Sequence, residues 1–171
     1  MKLYLVRHGQ PEISEYSGFP GPKLGQKGIQ QAHKIAEILS KKGITKVLGS
    51  DYTRVIETVQ PFLTKNKQLA YLQIIELRER EKEFETHESL VCRVQNWFRD
   101  YQMNLRNENS AIFGHCGSLN MILHYLDTKL DKMVYPYKDQ YHCLTPIGGI
   151  WELEFENNKL INGSLICNGE V

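Results

Sequence analysis

A chain of 171 residues, 41% hydrophobic and 24% charged, has the length and apolar content to bury one full core. Its net charge of +1 excludes a global basic field for nucleic acid or an anionic membrane, so any anion site must be a local cluster of cations. The apolar runs are too short to span a bilayer, and the first of them lacks the long apolar core and cleavage site of a signal peptide. We therefore expect one cytoplasmic domain over 1–171, with no nucleic-acid or membrane partner. The four cysteines (Cys92, Cys116, Cys143 and Cys167) stand far apart with no CxxC pair, which reads as reduced thiols.

Lys2 to Val6 is an apolar strand that runs into Arg7, His8 and Gly9. Pro11 to Gly25 is rich in proline and glycine and reads as loop. Lys27 to Lys41 places Ile29, Ala32, Ile35, Ala36, Ile38 and Leu39 at helical spacing, and Gly43 closes that helix. A short strand at Val47 and Leu48 precedes a helix from Tyr52 to Lys65 that must absorb Pro61 as a kink or a break. Leu72 to Glu76 reads as a strand and Arg78 to Glu88 as a charged stretch. Ser89 to Met103 is an amphipathic helix, Ala111 to Phe113 a buried strand and Ser118 to Leu126 a helix. Trp151, Leu153 and Phe155 alternate with Glu152, Glu154 and Glu156, a half-exposed strand that turns at Asn157-Asn158 into Leu160 and Ile161.

Strands alternating with helices predict a three-layer α/β/α sandwich with a mostly parallel central sheet. Ligands on such sheets bind beyond the carboxyl ends of the strands. Arg7-His8-Gly9, Asp51 to Arg54, Glu79 and Gly114-His115 all follow strands, so four separate segments deliver polar residues to one edge. Two arginines there would offer bidentate hydrogen bonds to a phosphate dianion. A neutral imidazole is a competent nucleophile near neutral pH. Glu79 could protonate a leaving oxygen. The helix starting near Gly117 would add free N–H groups, and Gly9 and Gly117 would let the backbone approach closely. Taken singly, each residue has a plain structural reading; their convergence on one edge favours chemistry.

These residues resemble those of the histidine phosphatase superfamily, also called the phosphoglycerate mutase-like family. "LVRHG" matches its defining motif, whose histidine becomes phosphorylated. "LGQKGIQQA", Leu24 to Ala32, resembles its L-T-x-x-G-x-x-Q-A stretch, with Gly25 in place of threonine. "SDYTRVIETVQP", Ser50 to Pro61, is close to S-x-x-x-R-A-x-E-T-A-x-P, whose arginine binds phosphate. "LRER", Leu77 to Arg80, resembles the acid-bearing segment, and "IFGHCGSLNMIL" the segment of the second histidine. The similarity runs to about Leu126. It implies His8 as nucleophile, Arg7, Arg54 and His115 as phosphoryl-holding residues, and Glu79 as general acid with Glu76 in reserve. Gly9 and Cys116 would border the substrate.

Two departures stand out. Cys116 occupies the place where the family usually has glycine, and "EREKEFETHES" lacks the glycines of the family's G-x-W-E-G-like stretch. "HC" also resembles the H-C-x-x-G-x-x-R loop of cysteine-dependent phosphatases, but the arginine of that loop would fall at Ile122.

The resemblance implies a phosphomonoesterase that needs no cofactor or metal. Between Glu79 and His115 the helix over 89–103 leaves little chain for a lid, which favours hydrolysis over a mutase reaction. The expected substrate is a small phosphoester of the α-ribazole phosphate or sugar phosphate kind. A phosphoprotein substrate, bearing phosphohistidine, and a non-catalytic phosphoryl-binding module are the alternatives.

Overall fold

The computed structural model describes residues 1–13, 18–104, 108–127 and 135–171. In chain order these form β1 (Lys2–Arg7), α1 (Gln26–Leu39), β2 (Ile44–Gly49), α2 (Thr53–Lys65), β3 (Tyr71–Gln73), a 3₁₀ turn (Ile75–Leu77), α3 (His87–Met103), β4 (Asn109–Gly114), α4 (Cys116–Asp127), β5 (Gly149–Glu156) and β6 (Lys159–Asn168). The strands make one sheet in the order β3-β2-β4-β1-β5-β6. The first four in that order pair in parallel, and β5 and β6 close the far side as an antiparallel hairpin. The expected α/β/α sandwich is thus present.

Alternation along the strands divides the core in two. On one face Leu3, Leu5, Ile112, Trp151 and Leu153 pack against Val94 and Phe98 of α3 and Leu119 and Leu123 of α4. On the other, Tyr4, Val6, Ala111 and Phe113 meet Ile35 and Ala36 of α1 and Val55 and Val59 of α2. Each of these strand residues is at most 1% exposed. Burial of one such large side chain stabilises by roughly 1.5–3 kcal/mol, so the two faces hold the sheet edge rigidly in place.

Several boundaries differ from the sequence expectation, each for a local reason. The strand expected over Leu72 to Glu76 stops at Gln73, because the chain turns to bury Leu77, with Leu77 N–H donating to Ile74 O. α3 starts within the charged stretch, because Thr86 Oγ1 accepts from Ser89 N–H and caps it. α4 starts at Cys116, directly after His115. α2 runs through Pro61 to Lys65 without a break. Asn157 and Asn158 both take positive φ, which suits the hairpin turn they form.

The reduced-thiol reading is corrected for two of the four cysteines. Cys116 and Cys143 form a disulfide, with Cα atoms 5.4 Å apart, whereas Cys92 and Cys167 are free. Distance along the chain hid the pair: the fold carries the segment before β5 back over the start of α4. Among the described residues no helix is long and apolar enough to cross a membrane.

Candidate active site

Arg7 ends β1 and His8 follows it at the carboxyl edge. The His8 backbone is pinned from two sides: its N–H donates to Gly114 O (3.1 Å), and its carbonyl accepts from Gly148 N–H (3.0 Å). The His8 ring is likewise fixed, because Nδ1 lies 2.8 Å from the Gly9 carbonyl. A carbonyl can only accept, so Nδ1 carries the proton and Nε2 keeps its lone pair. Arg54 Nε–H donates to that lone pair at 3.3 Å.

Arg54 lies in the first turn of α2, buried, with its guanidinium 4.6 Å from the centre of the Tyr52 ring. It bridges both histidines, for its Nη2 donates to His115 Nδ1 at 3.3 Å. His115 therefore carries its proton on Nε2, which donates to Ser50 Oγ at 2.9 Å. The two imidazoles meet edge to face with centroids 5.1 Å apart. Arg7 Nη1 donates to Thr145 O (2.8 Å) and lies 3.9 Å from Asp139 Oδ2, while its buried Nε has no partner among the described residues.

Electrostatics keep both imidazoles neutral. Burial pushes His8 well below its ordinary value, and Arg54 and Arg7 push it further. His115 is lowered by burial, then by His8, Arg54 and Arg7. Burial also lowers both arginines, opposed by the carboxylate of Glu79. Two guanidinium groups thus stand beside two neutral imidazoles, each of which presents an unprotonated nitrogen to Arg54.

Glu79 reaches the same place from beyond the 3₁₀ turn. Its Oε2 accepts from Gly117 N–H at 3.3 Å, and its Oε1 from Arg80 N–H at 3.1 Å. Gly117 makes room for it, since a Cβ there would come within 2.3 Å of Oε1. Of Glu76, the atom fixed in place is the carbonyl, which accepts from Arg93 Nη1. Geometry therefore brings Glu79, rather than Glu76, to the start of α4.

Gly9 has a different use from the one expected. Its N–H donates to Thr58 Oγ1 (2.9 Å), and a Cβ on it would lie 2.6 Å from Gly28 O, so its bareness lets α1 pack close. Cys116 likewise turns its sulfur to Cys143.

Sequence reasoning passed over the residues that hold the cluster. Ser50 fixes the His115 ring. Thr58 joins the His8 loop to α2, accepting from Gly9 N–H and donating to Arg54 O at 2.6 Å. Both stand inside the quoted "SDYTRVIETVQP" stretch, so their presence was legible and their partners were not. Thr145 and Asp139 belong to no motif and reach Arg7 through the fold alone.

The fold and this cluster define a class: an α/β/α protein with two histidines and two arginines gathered at the carboxyl edge of its sheet. Residues 3–83 match the model of the histidine phosphatase superfamily (branch 1). A probable phosphoglycerate mutase GpmB from Proteus mirabilis (strain HI4320) is 33% identical over 63 residues, 35% of this chain and 29% of that protein. The corresponding protein of Serratia proteamaculans (strain 568) is 38% identical over the same shares of each chain. The matched segment thus spans under a third of these curated relatives. Solved structures resemble the whole chain. The alpha-ribazole phosphatase from Shigella flexneri has a TM-score of 0.75 at 20% identity, covering 99% of this chain and 96% of its own. A phosphoserine phosphatase from Entamoeba histolytica has a TM-score of 0.72 at 16% identity, covering 96% and 94%. Residues 3–83, just under half of the chain, thus match the histidine phosphatase superfamily in sequence, and nearly the whole chain shares the fold of the two solved structures.

Proposed function

We propose that the protein is a phosphomonoesterase that works through a phosphohistidine on His8. The observation that carries this reading is the His8 Nδ1–H bond to the Gly9 carbonyl, which leaves Nε2 unprotonated beside Arg54. As a phosphoryl group enters, the Arg54 N–H groups turn from the imidazoles to the phosphoryl oxygens. Arg7 holds a further oxygen, and His115 Nδ1 takes up a proton from solvent and donates as well. His8 Nε2 attacks phosphorus in line with the ester oxygen. The N–P bond forms, the P–O bond breaks, and Glu79, as general acid, delivers a proton to the leaving oxygen. Water then attacks the phosphohistidine, Glu79 takes a proton from it, and phosphate leaves with His8 restored.

A small phosphoester fits best. A cavity of about 300 Å³ adjoins Glu79, and its lining of Glu76, Glu81 and Glu85 beside Arg78 and Arg93 suits a leaving group that carries no further negative charge. The two similar solved structures carry the names of phosphatases for small phosphorylated molecules, alpha-ribazole phosphate and phosphoserine. The chain between Glu79 and His115 is taken up mainly by α3 and β4, which favours water over a second substrate as phosphoryl acceptor. The curated relatives bear mutase names, so the assay must separate the two outcomes. Phosphate release from p-nitrophenyl phosphate and a panel of phosphoesters, measured in EDTA, should be clear in wild type and absent in His8→Ala. Phosphoryl transfer to an added phosphoglycerate in place of phosphate release would make it a mutase. Phosphate binding without turnover would make it a binding module.

A further inference from the structure

The Cys116–Cys143 disulfide takes no part in that chemistry, yet it lies against it. Cys116 directly follows His115 and opens α4. Cys143 belongs to the segment before β5 that holds Arg7: Thr145 supplies the carbonyl, and Asp139 the carboxylate. The same Asp139 accepts from Cys143 N–H through Oδ1 at 2.9 Å. The backbone of the bridged cysteine therefore helps, with Tyr141 N–H at 2.8 Å, to set the carboxylate that stands by Arg7. A second link runs in parallel, because Asn120 of α4 donates to His142 O (2.8 Å) and accepts from Leu144 N–H (3.0 Å). Opening the disulfide removes the covalent tie, so the segment that carries Asp139 and Thr145 is then held to α4 by the hydrogen bonds of Asn120.

Resting on the phosphate-site reading above, we propose that Cys116–Cys143 is a reversible redox site, closed for tight phosphoryl binding and opened by thiols to weaken it. The bonded sulfurs are unequal in access: Cys116 is partly exposed, whereas Cys143 is 1% exposed. A small thiol such as glutathione, as thiolate, attacks Cys116 Sγ. The S–S bond breaks, and Cys143 leaves with the electron pair and takes up a proton. A second small thiol attacks the small-molecule sulfur of the mixed disulfide and releases Cys116. Two protein thiols and one small-molecule disulfide result, with two electrons and two protons transferred. The Cys116 sulfur then lies free at the N-terminus of α4, a position that favours thiolate, one residue from His115. A thiolate there competes with an incoming dianion, and a loosened Arg7 holds it less firmly. Both effects act in the same direction.

The test uses a Cys92→Ser background, which removes the exposed free thiol. The protein is poised in a series of glutathione buffers. At each poise the cysteines are alkylated and mapped by mass spectrometry, and inorganic phosphate binding is measured by calorimetry. We expect Cys116 and Cys143 to become alkylated together, with phosphate affinity falling about tenfold in step. Cys143→Ala, checked for its fold by circular dichroism, should bind like the reduced form in the reducing buffers, and Cys116→Ala/Cys143→Ala should show one affinity across all of them. Phosphate affinity that stays constant across the cysteine transition would overturn the proposal alone, as would cysteines that never close in oxidising buffer. Absence of phosphate binding in both states would instead overturn the phosphate-site reading beneath it.

Discussion

Replacing Gly117 by alanine should displace Glu79, the proposed general acid, while sparing the fold. A Cβ at this position would lie 2.3 Å from Glu79 Oε1 and 3.2 Å from Leu90 Cδ2. The closer clash is with the far end of a flexible side chain, so Glu79 yields rather than the backbone. To regain ordinary contact its carboxylate must retreat by about 1 Å, and the 3.3 Å bond from Gly117 N–H is lost. A misplacement of that size costs on the order of 10²-fold in rate where the group acts in the transition state. The cost depends on the leaving group, because only a poor one needs the proton. We expect Gly117→Ala to lower kcat on an alkyl phosphate by about 10²-fold and on p-nitrophenyl phosphate by far less. Phosphate binding and melting temperature should change little. Equal losses on both substrates, or none on the alkyl ester, would refute the placement of Glu79 as acid.

Three further outcomes follow from the geometry. Thr58→Val keeps the side-chain shape but leaves the buried Gly9 N–H unpaired, so we expect a loss of about 2 kcal/mol and a thermal midpoint lower by about 4–8 °C. His8 and His115 are held neutral by burial and then by neighbouring cationic groups, so the unfolded chain binds more protons than the folded one as pH falls below about 6.5. Stability is complete above that pH and declines below it, and urea unfolding at pH 7.5 and 5 should show a slope that His115→Gln reduces and added phosphate flattens. Burial raises Glu152, but hydrogen bonds from Lys42 and Lys2 outweigh it and bring its carboxyl down to about 2. Its stabilisation is present above pH 4.5 and lost as pH falls towards 2, so Glu152→Gln should cost about 1 kcal/mol at pH 7 and almost nothing at pH 2, by denaturant titration.

What the sequence disclosed depended on whether the signal was local. Apolar periodicity marked α1 and β5, each of which buries one stripe or face, and a continuous apolar run marked β1, which is buried on both faces. Arg7, His8, Arg54 and His115 could be gathered in advance, because a parallel sheet brings the residues that follow its strands to one edge. The partners of those residues could not. Ser50 beside His115, and Thr58 beneath Gly9, are small hydroxyls whose meaning lies in a hydrogen bond across the fold. The disulfide was read the other way, because Cys116 and Cys143 give no spacing signal and meet only when the segment before β5 returns to α4. Gly9 was expected to admit a ligand, whereas its bareness admits α1.

The most direct measurement is to trap the intermediate. Wild type and His8→Asn would be mixed with a ³²P-labelled phosphoester, quenched in alkali within milliseconds, digested and mapped. A base-stable, acid-labile phosphoryl group on the peptide carrying His8, absent from His8→Asn, is the result expected if the first strand ends in the nucleophile. Label on His115 or Cys116, or turnover that continues in His8→Asn, would contradict it.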